Sequence, residues 1–99
     1  METWVDIKDA ANYQVSSLGN VRNSKTRKVL KPHLDRPGGL ERVDLNGRHR
    51  YIHKLMIENI YGYELKNNEM IRHRDGNKQN NTPQNLKIVE KKLKSSPAK

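Results

Sequence analysis

There is no cysteine among the 99 residues. Disulfides and thiolate zinc sites are thereby excluded, and the chain fits a reducing compartment. Phenylalanine is missing too, tryptophan occurs once, and hydrophobic residues make up only 32% of the chain. So thin an apolar supply allows one small domain, or two very small units sharing a core. It favours a loop-rich α+β structure whose strands and helices bury one face each. No apolar run approaches membrane-spanning length. The opening METWVDIKD lacks the basic-then-apolar order of a signal peptide.

Acidic residues are also scarce. Twenty Lys and Arg stand against eleven Asp and Glu, for a formal charge of +9 and a pI near 10.0. A charge that large on a small domain points to a polyanion, with DNA or RNA ahead of an anionic membrane. A membrane-surface protein would carry a basic amphipathic helix with bulky apolar residues. None is evident, so no membrane partner is expected. On composition alone, a basic surface with no ligand stays nearly level with nucleic-acid binding.

What the chain does have is asparagine, crowded between Met70 and Leu86 in MIRHRDGNKQNNTPQNL. This stretch holds His73, the turn signals Asp75-Gly76 and Asn80-Asn81, and Asn77 and Asn85. Asparagine tolerates left-handed backbone angles and bonds its own main chain, so one reading is an ordered surface loop. The other is a hairpin, out over Met70 to His73 and back over Leu86 to Val89. Its loop would be pinned by asparagine side chains and would present His73.

The pattern His73-x-Asp75-Gly76-Asn77-Lys78-x-Asn80-Asn81, followed by Asn85-Leu86, closely resembles the HNH homing endonucleases of phage and intron type. The resemblance implies a ββα-metal unit, a two-stranded ribbon and a short helix around one divalent ion. It implies His73 as general base for an attacking water and Asn85 as the asparagine bracing the loop. Without cysteine the zinc-ribbon version is excluded. Two positions depart from the family's pattern. Arg72 stands where the family carries an Asp or Asn metal ligand, and the second ligand position, in the following helix, falls on Lys94. Both are cations without a free lone pair at neutral pH, whereas oxygen-ligand metals need carboxylates, carbonyls or waters. The expectation is therefore no protein metal ligand, no cofactor and little or no cleavage. Ile88 also stands where the family has a tryptophan.

Upstream, Trp4-Val5-Asp6-Ile7 and Tyr13-Gln14-Val15-Ser16 alternate like strands, and Ser17-Leu18-Gly19-Asn20 turns the chain into a third strand at Val21. Lys28 to Lys31 reads as a fourth, ended by Pro32. Trp4 and Tyr13 are expected in the core. The order Trp4, Ile7, Tyr13-Gln14-Val15-Ser16, Leu18-Gly19-Asn20-Val21-Arg22 resembles the small DNA-gripping module fused to HNH homing endonucleases. Arg22, Lys25, Arg27 and Lys28 are candidate phosphate contacts, the alternative being solvated turn charges. Arg36-Pro37-Gly38-Gly39 is a loop. Asn46-Gly47 is a strong hairpin signal between Leu40–Leu45 and Arg48–Ile52, placing Arg48 and Arg50 on one face.

Ile52, Leu55, Met56 and Ile60 then fall at helical spacing, predicting a helix over 52–61 with Gly62 just past its end. His53, in its first turn, is read as a structural hydrogen-bonder. Residues 63–68 connect to the asparagine-rich hairpin, and Glu90 to Lys94 suggests a brief helix with a lysine face. The tail over 95–99 is too polar to order itself. The predicted organisation is a nuclease-associated module over 1–62, an HNH-like ββα unit over 63–94 and a tail.

Three functions remain in play. The first is a double-stranded-DNA-binding protein of HNH descent, using Arg22, Arg48, Arg50, Arg72, Arg74, Lys78, Lys92 and Lys94. The second is an active nicking endonuclease, with His73 as base and Mg²⁺ held by Asp75, backbone and substrate oxygens. The third is a phage protein that binds a host protein and keeps the fold as scaffold. The family implies a virus-encoded product acting in the bacterial cytoplasm.

Overall fold

The structure, a computed structural model, describes residues 2–90. Strands β1 (Trp4–Asp6), β2 (Tyr13–Ser16) and β3 (Val21–Asn23) form an antiparallel meander in that order. Alternation along the strands sends Val15 and Val21, paired across β2 and β3, to the inner face with Ile7. The outer face carries a polar ladder. Arg22 Nε donates to Gln14 Oε1 and Gln14 Nε2 to Asp6 Oδ1, each at 2.9 Å. The Arg22 guanidinium lies 4.1 Å from the centroid of the Trp4 ring. Trp4 is thus half-buried beneath an arginine rather than in the core, while Tyr13 does pack against it. The strand expected over Lys28 to Lys31 shrinks to one bridge, Val29 with Arg22. Arg27 turns with φ 64° just before it, and Pro32 has no N–H with which to extend the ladder.

A second antiparallel sheet holds β4 (His33–Leu34), β5 (Glu41–Leu45) and β6 (Arg48–Tyr51). Asn46 and Gly47, with φ of 53° and 80°, make the tight turn between β5 and β6. Chain direction then changes to helix. α1 (Ile52–Leu55) runs into a π-helical segment, Met56–Tyr61, which Gly62 ends with φ 72°. The wider winding brings Ile57 to the buried side with Ile52, Leu55 and Met56, and leaves Ile60 half-buried.

The last pair is a ribbon, β7 (Glu69–His73) with β8 (Leu86–Glu90), entered by a 3₁₀ turn at Pro83–Asn85. Its register sets His73 opposite Leu86 and Arg72 opposite Lys87. Glu90 ends β8 instead of starting a helix, and the rest of that expected helix, Lys92 and Lys94 included, lies outside the described residues. Val15, Val43, Leu45, the helical Ile52, Leu55, Met56 and Ile57, and Ile71 and Leu86 form one contiguous apolar cluster. The helical segment is its centre and touches both three-stranded sheets. Tyr61 Oη ties its end to the ribbon, donating to the carbonyls of Pro83 and Leu86. Truncating Leu86 to Ala would cost about 2–5 kcal/mol through lost burial and the cavity left behind.

Candidate nuclease-like site

The loop between β7 and β8 is built from its own side chains. Gly76, at φ 77°, lets the chain reverse so that its N–H donates to His73 O at 3.0 Å. Asp75 Oδ1 accepts from Asn77 N at 2.8 Å and from Asn85 Nδ2 at 2.9 Å, while Oδ2 accepts from Asn80 Nδ2 at 3.0 Å. These donors hold the Asp75 carboxyl below the usual range, Asn80 contributing most, then Asn77 and Asn85. Buried Asn85 spans the two ends of the loop, since its Oδ1 accepts from Asp75 N at 3.1 Å and its Nδ2 donates to Asn80 O at 2.8 Å. The asparagine excess is the loop's internal skeleton.

His73 ends β7 beside this skeleton. Its Nε2 lies 2.8 Å from Asn81 Oδ1, and Asn81 Nδ2 donates to Glu41 Oε1 at 3.0 Å. Asn81 is buried, and burial pushes the Glu41 carboxyl up against the opposing pull of the Asn81 hydrogen bond. His53 stacks on His73 with ring centroids 5.6 Å apart, and Tyr51 meets His53 edge-on at 5.8 Å. Burial, then the neighbouring His73 and Lys54, lowers the His53 pKa to about 4, so this ring is neutral at pH 7. Its Nδ1 is buried with no hydrogen-bond partner among the described residues, which is not the hydrogen-bonding role expected for it. His53 and His73 line a cleft of about 680 Å³ whose rim carries Lys54, Lys66, Arg72 and Lys78.

The basic candidates are scattered differently from the sequence expectation. Arg72 and Lys78 are exposed beside His73, and Arg74 is exposed in the turn after it. Arg48 is exposed on β6, but Arg50 does not join it in an open stripe. Asp9 at 3.0 Å and Glu58 at 3.5 Å draw the Arg50 guanidinium into the fold, leaving its side chain 15% exposed. Arg22 is likewise held on the first sheet by Trp4 and Gln14. Three residues around His73 were given no site role from sequence: His53, which lines the cleft, and Asn81 and Glu41, which form the hydrogen-bond chain behind it. Asn81 lay inside the quoted motif, and His53 was seen but assigned to structure. Glu41 stands 40 positions from Asn81 and carried no local signal.

The side chains described do not fit the divalent ion implied by the resemblance. Arg72, beside His73, is a cation without a lone pair to donate. Asp75, the one carboxylate of the loop, already accepts on both oxygens from loop donors. Among the described residues, no three of His, Cys, Asp or Glu come together as a metal-binding group. No helix among them is long and apolar enough to cross a membrane.

Two family models match the chain in succession, the NUMOD4 motif over residues 2–46 and the HNH endonuclease over residues 50–94. DNA endonuclease I-HmuI of Bacillus phage SP01 is 36% identical over 96 residues, spanning 91% of this chain and 53% of its own length. An uncharacterised HNH endonuclease of Acanthamoeba polyphaga mimivirus is 32% identical over 89 residues, spanning 84% of this chain and 26% of its own. The solved structure of DNA binding and cleavage by the HNH homing endonuclease I-HmuI superposes with a TM-score of 0.72 at 33% identity. That likeness covers 89% of this chain and 52% of the solved one. The chain therefore spans about half the length of the phage relative, or less for the mimivirus one. By both matched segments and by the fold they share with that structure, the chain belongs to the HNH homing endonuclease family and carries the NUMOD4 motif at its N-terminal end.

Proposed function

We propose that this chain binds double-stranded DNA and cleaves it little or not at all, having kept the HNH scaffold while losing the metal end of the site. The observation that carries this is Arg72 exposed at the cleft next to His73, where a metal ligand is required. A fixed cation there repels a divalent ion and attracts a phosphate oxygen. With Lys54, Lys66 and Lys78 on the same rim and a chain charge of +9, it makes a surface suited to a nucleic-acid backbone. Lys92 and Lys94, outside the described residues, are further DNA contacts in the proposal. The two-unit organisation over 1–62 and 63–94, and the setting in a bacterial cytoplasm after phage infection, belong to the same proposal.

Contacts of this kind supply affinity without sequence preference, and each one formed releases condensed counterions from the duplex, so added salt weakens binding. Fluorescence anisotropy with unrelated 30-base-pair duplexes tests it. Similar affinities for all sequences and a steep linear fall of log K with log salt support the proposal. Salt-insensitive behaviour, or no binding at low salt, contradicts it.

A second function has one specific observation in its favour. His73 is held by an ordered hydrogen-bond chain, as a general base would need to be, so an active nicking endonuclease remains the competing proposal. Metal-dependent nicking separates the two.

A further inference from the structure

We propose that Glu41 is a positioning residue for His73, acting through Asn81 to choose which ring nitrogen keeps its proton. Donor and acceptor logic leads there directly. An ionised carboxylate only accepts, so the Asn81 atom 3.0 Å from Glu41 Oε1 must be its NH₂ group. That fixes the amide orientation and turns Asn81 Oδ1 toward His73. A carbonyl oxygen also only accepts, so His73 Nε2, 2.8 Å away, must carry the hydrogen. The Nδ1 lone pair is left open, with no hydrogen-bond partner among the described residues, on a ring that lines the cleft.

The arrangement is locked from a third side. Gly19, buried in the turn after β2, approaches so closely that a Cβ there would lie 3.3 Å from Asn81 Cβ and from Asn81 O. Asn81 is itself 4% exposed, so it has little room to turn while Glu41 holds its NH₂. Gln79 Nε2 adds a second tie to the same region, donating to Gly39 O at 3.0 Å just ahead of β5. The NUMOD4-matched part of the chain, through Glu41 and Gly19, thereby sets the proton of the HNH-matched histidine. The consequence for proton transfer rests on His73 being the proton acceptor of the cleft, but the tautomer itself exists in the free protein.

The test is a long-range ¹H–¹⁵N correlation of the histidine ring nitrogens in ¹⁵N-labelled protein without DNA, at a pH where His73 is neutral. Wild type is expected to show His73 with Nε2 protonated and Nδ1 bare. Glu41→Ala and Glu41→Val both remove the acceptor, letting the Asn81 amide turn over, so the Nδ1–H form should rise several-fold. Glu41→Gln keeps an acceptor oxygen and should restore the wild-type pattern. A wild-type ring protonated on Nδ1 overturns the proposal. So does an unchanged ring pattern in folded Glu41→Ala or Glu41→Val. Should neither variant fold, a Glu41→Gln spectrum that departs from wild type also overturns it. Because no DNA is present, failure here is distinct from failure of DNA binding.

Discussion

The imidazoles of His53 and His73 lie one over the other, 5.6 Å between centroids and 26° from parallel. Protonating His53 would place a charge in a half-buried position against a second ring and near Lys54. Its folded pKa is accordingly about 4, below the ordinary 6.5. The unfolded chain takes up this proton first as pH falls. The stability held by neutral His53 is thus complete above about pH 6.5 and lost as pH drops toward about 4. It amounts to about 3 kcal/mol at most. Urea unfolding between pH 7 and pH 4 should show the midpoint falling across this window, and His53→Phe should flatten that fall.

Asn85→Ala should loosen the loop more than its exposed surroundings suggest. It removes two donated bonds and one accepted bond from a buried amide and leaves Asp75 N and Asn80 O unpaired. Losses of this kind cost about 2–4 kcal/mol together. Hydrogen exchange should show protection lost over residues 75–80 while the first sheet is unchanged.

Gly19→Ala should destabilise through the neighbour as well as the backbone. The position has φ +86°, unfavourable for any side chain, and an added methyl would press on Asn81 at 3.3 Å. A cost of about 1–2 kcal/mol is expected. It should be accompanied by a shift of the His73 ring signals, which a purely local turn effect would not move.

The two kinds of arginine should separate in a salt titration. Arg72→Gln removes an exposed cation, a phosphate contact in the proposal, and should lower the slope of log K against log salt by about 0.9. Arg50→Gln should leave the slope alone, since Asp9 and Glu58 already hold its guanidinium. Its effect should instead be on stability, within about 1 kcal/mol.

Local chemistry was legible in the sequence where a pattern is carried by neighbours in the chain. Tyr13 to Ser16 was a strand to the residue, Asn46-Gly47 a hairpin turn, and the asparagine-rich stretch a ribbon with its loop. The helix was placed over 52–61, but its π-helical winding, and with it the burial of Ile57, depends on what packs around it. Strand β4, two residues long between Pro32 and the Gly38-Gly39 loop, shows no alternation to detect. Trp4 was misassigned to the core because size predicted burial, whereas an arginine two strands away covers it. The site around His73 was half legible. His73 and Asn85 came with the motif, but Glu41 reaches Asn81 across 40 positions, and Arg50 meets Asp9 across 41.

Restoring one ligand should not restore cutting. Arg72→Asp supplies a carboxylate at the cleft but leaves a lysine at position 94, and the Asp75 oxygens remain engaged by the loop. The single variant should nick no more than the parent chain in Mg²⁺. Metal-dependent nicking by Arg72→Asp alone would show that the second ligand comes from another residue.

The proposed loss of metal-dependent cleavage is tested most directly by incubating supercoiled plasmid with the unaltered chain in Mg²⁺ or Mn²⁺, alongside His73→Ala. The predicted result is DNA retained and shifted in a gel by both proteins, with no open-circular product above the His73→Ala background. Open-circular DNA that forms with metal, vanishes with chelator and is absent for His73→Ala would contradict the account.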